Sequence, residues 1–264
     1  MKLKMIVAVA GLAFGAAHAA QITTPGTVGG SDLLLNVYEQ GAPGGQPDQS
    51  FTFDLGMTFN QFITTVAAGP TTTLATLLSS DTTWQSFLSS SDTADAGALQ
   101  WSVVASGNKV NTRPAIFGSV TAGTDPHLAG TSGFPTNQDL NQSNTQLTTF
   151  INNLNTVANP TEQVGLKGSG MYFQDLALAN WNGVSFSTNN NIGDSAAVAW
   201  INNLSGGTTA AAVVSEATGT LNFSQVNGSY VLTYVNAVPE ASGMGMALCG
   251  LAALGFLARR RNAA

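Results

Sequence analysis

The amino-acid sequence predicts a mainly β protein, an antiparallel sandwich-like fold with a few packed helices, and three observations support this class. Several short segments alternate apolar and polar residues, which is the period of a half-buried strand. Glycine, proline and asparagine separate these segments, as is typical of turns. No repeat with a period of about 20–50 residues is visible, which disfavours solenoids and propellers.

Alternating residues predict eight strands. Residues 31–39 place Leu33, Leu35 and Val37 on one side of the first strand. The last two, residues 219–225 and 229–235, flank Asn227-Gly228, a dipeptide suited to a type I′ turn, so we expect a hairpin. The other five predicted strands are residues 50–56, 99–105, 115–121, 170–176 and 183–188.

Three further segments have helical spacing. Residues 139–158 repeat apolar residues on one face and are followed by Pro160, which ends a helix. Residues 81–89 begin with Asp81 as a candidate N-cap, and residues 194–204 precede Gly206-Gly207. We expect the apolar faces to pack against the sheet; they include Trp84, Phe87, Leu147, Phe150, Ile151, Leu154, Val198, Trp200 and Ile201.

The chain is poor in charge and rich in neutral polar residues. Of its 264 residues only 8% are charged, against about 25% in an ordinary soluble domain. Thr, Ser and Asn number 30, 22 and 22, and replace the missing charge. Residues 20–237 contain thirteen acidic residues and three basic ones (Lys109, Arg113 and Lys167), which gives a net charge of −10. A phosphate backbone would repel this surface, which disfavours nucleic-acid binding.

The first 19 residues have the three-part pattern of a secretory signal peptide. Lys2 and Lys4 precede an apolar run over residues 5–17. Ala17 and Ala19 stand where signal peptidase requires small residues, which predicts cleavage before Ala20. A retained anchor helix is the alternative. It is disfavoured because a helix needs about 20 apolar residues to span a bilayer, and this run is shorter.

Cysteine and histidine are nearly absent from the predicted mature body. The single cysteine is Cys249, and His127 is the one histidine between residues 20 and 237. A disulfide framework is therefore excluded. A Cys/His zinc site is excluded as well, because one histidine cannot supply the ligand set.

A second apolar segment lies near the other end of the sequence. Residues 242–258 carry no charge and would form about 25 Å of helix, enough for a thin bilayer. Arg259, Arg260 and Arg261 follow and would remain cytoplasmic, leaving the acidic body outside. An ordinary single-span protein and a buried terminal helix are the alternatives.

Residues 238–264 resemble the PEP-CTERM sorting signal, whose pattern is Val-Pro-Glu-Pro, a short apolar helix and an arginine cluster. Val238, Pro239 and Glu240 match the motif, and Ala241 replaces its second proline. The resemblance covers about a tenth of the chain. A weaker similarity to the Thr- and Asn-rich ectodomains attached to such tails lies at residues 32–37 and 53–56.

The resemblance implies a route of processing in Gram-negative bacteria that make exopolysaccharide. Members of this family are exported, held transiently in the inner membrane by the tail and cut near the Pro-Glu motif by exosortase. They are then released or attached at the cell surface. Pro239 fits this role because it keeps the chain next to the helix extended.

The body shows no motif for an enzyme. Walker and Gly-x-Ser-x-Gly patterns are absent, and His127 has no evident serine partner. A paired-carboxylate glycosidase remains possible, because spacing in the fold is not readable from the sequence. We therefore assign no catalytic residue and no cofactor.

Two binding hypotheses have local support. Calcium could use Asp92 with Asp95, or residues 189–191 with Asp194, although loop and cap roles explain the same residues and we assign no metal ligand. Carbohydrate could stack on Trp181, which adjoins Asn182, although a packed tryptophan is the simpler interpretation.

The sequence thus predicts three parts: a signal peptide at residues 1–19, a β-rich extracytoplasmic domain at 20–237 and a sorting signal at 238–264. The function we expect is that of an exported, non-enzymatic surface or matrix protein that meets exopolysaccharide or like chains. The alternatives are a secreted hydrolase of matrix glycans or peptides, and a calcium-dependent adhesin module.

Overall fold

One antiparallel sheet organises the part of the chain that the computed structural model describes, residues 21–39, 48–91, 99–108, 114–121, 137–173, 190–202 and 213–236. Its strands are β1 (Asp32–Glu39), β2 (Gln49–Thr58), β3 (Thr72–Leu77), β4 (Leu99–Asn108), β5 (Pro114–Thr121), β6 (Glu162–Leu166), β7 (Asn190–Asn191), β8 (Ser195–Asn202), β9 (Val213–Val226) and β10 (Ser229–Val235). The strand order is β3-β10-β9-β8-β5-β4-β1-β2-β6, with β7 paired to β4.

The described helices are few and have identifiable N-terminal caps where they follow strands. The short α1 (Phe59–Gln61) starts at a capping box of Thr58 and Gln61 and continues as a π-helical turn, Phe62–Val66. Helix α2 (Thr82–Ser90) is capped by Asp81, whose carboxylate accepts hydrogen bonds from the backbone N–H groups of Thr83 and Trp84. Helix α3 (Asn137–Leu154) is the longest.

Both faces of the sheet are covered at β1, which is buried along its whole length. Leu33, Leu35 and Val37 face one apolar core, which also contains Trp84 and Trp101. The opposite face of β1 contributes to a second core with α3, whose buried members include Leu34, Tyr38, Leu147, Phe150, Ile151 and Leu154. Each face is therefore stabilised by apolar burial of its own.

A cluster of rings connects strands that are far apart in the sheet order. The ring of Trp84 lies 4.9 Å from that of Phe51 on β2 and 5.0 Å from that of Tyr230 on β10, measured between centroids. The ring of Phe223, on the neighbouring strand β9, lies 6.5 Å from that of Trp84. Strands β2 and β10 stand near opposite ends of the order, so the sheet curves around Trp84.

The structure confirms the mainly β, antiparallel class with packed helices and most of its predicted elements. Strands β1, β2, β4, β5, β9 and β10 and helices α2 and α3 lie where the sequence pattern places them. The predicted hairpin is also confirmed: Asn227 and Gly228 have φ values of 51° and 83°, the positive pair that a type I′ turn requires.

The prediction of a helix over residues 194–204 is wrong, because Ser195–Asn202 form strand β8. This strand lies between β5 and β9, where both faces of the sheet are covered. Val198 faces the first core and Ala199 the second, and residues 196–201 are all apolar. A short apolar run of this kind cannot be distinguished from a helix by its period.

Residues 170–173, predicted as the start of a strand, form bends and a turn instead. Gly168 and Gly170 take φ values of 83° and 72°, a conformation that ends strand geometry. Strands β3, β6 and β7 and helix α1 are not predicted by the pattern. The predicted strand at 183–188 and residues 174–176 lie outside the described residues.

Among the helices of the described residues, none is long and apolar enough to cross a membrane. The predicted signal peptide and the predicted span over 242–258 both lie outside that part of the chain.

Two buried tryptophans provide a matched test of this core. Trp101 donates a hydrogen bond from Nε1 to the carbonyl of Asn191 (2.9 Å), whereas Nε1 of Trp84 has no partner. We expect Trp101→Phe to destabilise the protein by about 1 kcal/mol more than Trp84→Phe, because only the former loses a hydrogen bond. Denaturant unfolding of both variants measures the difference, and equal losses would contradict the assignment.

Candidate functional site

An open groove of about 390 Å³ lies where α2 approaches strand β6, at one edge of the sheet. Its lining is polar and almost entirely neutral, in keeping with the composition of the chain. The residues that line it are Thr82, Thr83, Ser86, Asn159, Glu162, Gln163 and Val164.

Two carboxyl groups meet beside this groove. Asp81 is held by its capping bonds, with Oδ1 3.0 Å from the backbone nitrogens of both Thr83 and Trp84. Glu162, the first residue of β6, forms a side-chain hydrogen bond with Asp81. A hydrogen bond between two carboxyl groups needs one proton, which Glu162 supplies.

The environment of Glu162 keeps that proton in place. Burial, the hydrogen bond to Asp81 and the negative charge of Asp81 together raise the pKa of Glu162 to about 8. Glu162 is therefore neutral at pH 7. Its Oε1 atom is inaccessible to solvent and has no hydrogen-bond partner in the described structure.

The pair has a donor and an acceptor but not the spacing of a glycosidase. Catalytic carboxyl groups stand about 5–5.5 Å apart in retaining enzymes and about 6.5–9.5 Å apart in inverting ones. Asp81 and Glu162 interact directly, which places their carboxyl groups nearer to each other than either spacing. The groove itself presents hydroxyl and amide groups, which suit hydrogen bonding to hydroxylated molecules.

A second pair of carboxyl groups lies on neighbouring strands β1 and β2. Asp32 Oδ2 accepts a 2.7 Å hydrogen bond from the backbone of Thr23, and Asp54 Oδ1 accepts a 2.8 Å bond from the backbone of Gly56. Burial and the charge of Asp32 raise the pKa of Asp54 to about 7, against the opposing effect of the Gly56 N–H. Both groups serve backbone positions, so we interpret this pair as structural.

A second groove, of about 510 Å³, lies between the first described residues and the end of α3. Asn155 closes one side of it by binding both backbone groups of Ile22. The Ile22 N–H donates to Oδ1 (2.8 Å), and Nδ2 donates to the Ile22 carbonyl (2.9 Å). This amide clamp holds Ile22 in the second core, where 1% of its surface is exposed.

The residues proposed for calcium do not converge where the structure describes them. Asn190 is buried, and its Nδ2 donates to the carbonyl of Trp101 (3.3 Å). Asn191 instead binds Asp194 Oδ2 through its backbone and side-chain nitrogens, which closes the turn before β8. The described residues contain no group of three or more His, Cys, Asp or Glu that could hold a metal ion.

Several predicted functional residues lie outside the described part of the chain. These are the cleavage residues Ala17, Ala19 and Ala20, the motif residues Val238, Pro239 and Glu240, the stop residues Arg259, Arg260 and Arg261, and the candidates Asp92, Asp95, His127, Trp181 and Asn189. Trp84 is buried in the core, as expected, and Trp101 is buried there as well, whereas Trp200 packs against the core while remaining partly exposed.

The pairing of Asp81 with Glu162 is not visible in the sequence. Asp81 is recognisable there only as a helix cap, and nothing near Glu162 indicates a partner that far away in the chain.

Comparison of the chain with protein-family models, with curated proteins and with solved structures gives no match. The assignment of the groove therefore depends on its geometry alone.

The proton on Glu162 predicts how stability changes with pH. The ordinary pKa of 4.5 applies in the unfolded chain and a pKa of about 8 in the folded one. This contribution to stability is complete below pH 4.5 and is lost as the pH rises to about 8. We expect Glu162→Gln, which cannot ionise, to flatten the decline of the unfolding midpoint between pH 5 and pH 8.

The control for this experiment is Glu216→Gln, which removes an exposed carboxyl group on β9. That variant should retain the wild-type pH dependence, part of which comes from Asp54. If Glu162→Gln declines as steeply as the wild type, the shared proton is refuted.

The amide clamp on Ile22 gives a separate prediction. Asn155→Asp keeps the acceptor and loses the donor, so a carboxylate would face the Ile22 carbonyl. We expect a loss of about 1–3 kcal/mol in the free energy of unfolding. Asn152→Asp, an exposed change on the same groove, is the matched control and should cost far less. A similar loss in both variants would argue against the clamp.

Proposed function

We propose that this protein is an exported, non-enzymatic component of the cell surface or extracellular matrix that is sorted by exosortase and associates with exopolysaccharide. Signal peptidase removes residues 1–19, and the tail holds the body at the outer face of the inner membrane. Exosortase then cuts near Pro239 and Glu240. We further propose that the curved sheet of the body closes in the sandwich-like manner expected from the sequence.

The tail carries this proposal, because three independent features stand in the required order. Val238, Pro239 and Glu240 precede 17 uncharged residues, and three arginines follow directly. An ordinary single span needs the apolar segment and favours the flanking charge, but it does not require the Pro-Glu pair. The lysines of residues 1–4 support the same orientation, since both basic ends would remain on the cytoplasmic side.

The body supports an association with neutral or weakly charged glycans. Most residues that line its described grooves have hydroxyl or amide side chains, which exchange hydrogen bonds readily with sugar hydroxyls. The net charge of −10 between residues 20 and 237 opposes strongly anionic partners such as nucleic acids. Thr, Ser and Asn maintain solubility in place of charged residues.

Sorting is tested by following the full chain, with an epitope tag in the body, in a host that contains exosortase. We expect a shortened product outside the inner membrane, with a mass that corresponds to loss of both terminal segments. Pro239→Ala combined with Glu240→Ala should leave the protein uncut in the inner membrane. Pro70→Ala, which changes an exposed proline of the body, should be processed normally.

Two outcomes would overturn the proposal. One is wild-type protein that remains full length while the same cells process a known exosortase substrate. The other is normal processing of the variant that lacks both motif residues.

A further inference from the structure

We propose that the outer edge of strand β3 is a self-association surface, on which a second copy of this chain adds its own β3 and extends the sheet. This surface belongs to the body alone, and its formation does not depend on how the tail is processed. The partner is an identical chain, because the edge has features that favour self-pairing.

Among the described strands, β3 ends the strand order and pairs on one side only. Its partner is β10, and none of the described residues hydrogen-bonds to its opposite edge. Thr73 and Thr76 are exposed, whereas Ala75 and Leu77 face the core. Threonine favours the extended conformation, so the edge presents a preformed strand to a partner.

Charge distinguishes this edge from the other end of the sheet. Residues 55–80 contain no charged residue, β10 has none, and Glu216 is the single one on β9. At the other end, the charged Lys167 directly follows β6 and bridges to Asp48. A two-fold axis brings identical residues close together, so a strongly acidic protein meets its copy most easily on an uncharged edge.

One exposed apolar side chain adjoins this edge. Leu78, which directly follows β3, is 51% exposed. Val226 and Val235 are also exposed, but they lie on the inner strands β9 and β10. Burial of Leu78 would add to the backbone hydrogen bonds of a shared ladder.

The pairing is short. The register of β3 against β10 shifts between Ala75 and Thr73, which leaves Leu74 as an extra residue. Regular pairing is therefore limited to the segment around Ala75–Leu77. An edge of this length buries less surface than a stable dimer, which needs about 800 Å² per partner. We therefore expect weak association that increases with protein concentration.

Cross-linking of the purified full chain in detergent micelles tests the proposal. Cys249→Ser removes the native thiol, and Thr73→Cys, Thr76→Cys or Leu78→Cys then introduces one cysteine at the β3 edge. Opposite residues of neighbouring antiparallel strands lie about 4.5–5.5 Å apart, within reach of a short bismaleimide. Leu166→Cys, at an equally exposed position on β6, is the matched control for contact through the tail.

We expect at least one β3 position to give several-fold more covalent dimer than Leu166→Cys. Adding Thr73→Lys to the Thr76→Cys variant should reduce the dimer to the control level, since it brings like charges together. Thr149→Lys, an exposed threonine on α3, should leave the dimer unchanged. Unchanged thermal unfolding would show that each variant is folded. Equal cross-linking at β3 and β6, or dimer that survives Thr73→Lys, would overturn the proposal.

Discussion

The packing of Trp84 against rings from both ends of the sheet is the interaction on which much of the architecture depends. Its neighbours Phe51 and Tyr230 belong to strands separated by most of the strand order. The same helix is capped by Asp81, three residues before Trp84, so the packing of the indole also fixes the position of the capping carboxylate. The encounter of Asp81 with Glu162 is therefore a result of core packing rather than of local sequence.

The local elements were predictable where a single physical signal dominates. Alternation identifies β2 and the β9–β10 hairpin, and Asn227-Gly228 identifies the turn because only residues tolerant of positive φ fit there. The cap at Asp81 was predictable for a similar reason. In β8 the signal fails, because cover on both faces removes the polar half of the alternation.

The candidate groove could not be predicted, since its two carboxyl groups come from segments that only the tertiary fold brings together. Asp81 and Glu162 each have an ordinary local role, one as a cap and the other at the start of an edge strand. Their shared proton arises from burial and proximity, which no spacing in the sequence records. The described residues of the calcium hypothesis show the converse: Asn190 and Asn191 are adjacent in sequence, but their side chains bind different partners.

The position of β10 between β3 and β9 also determines when the sheet can be finished. Thr72 pairs with Tyr234, so an early strand receives its neighbour only after nearly the whole body has been synthesised. Loop closure over such a distance is slow compared with the formation of local hairpins. Completion of the fold then coincides with the arrival of residues 229–235, directly before the segment that begins at Val238.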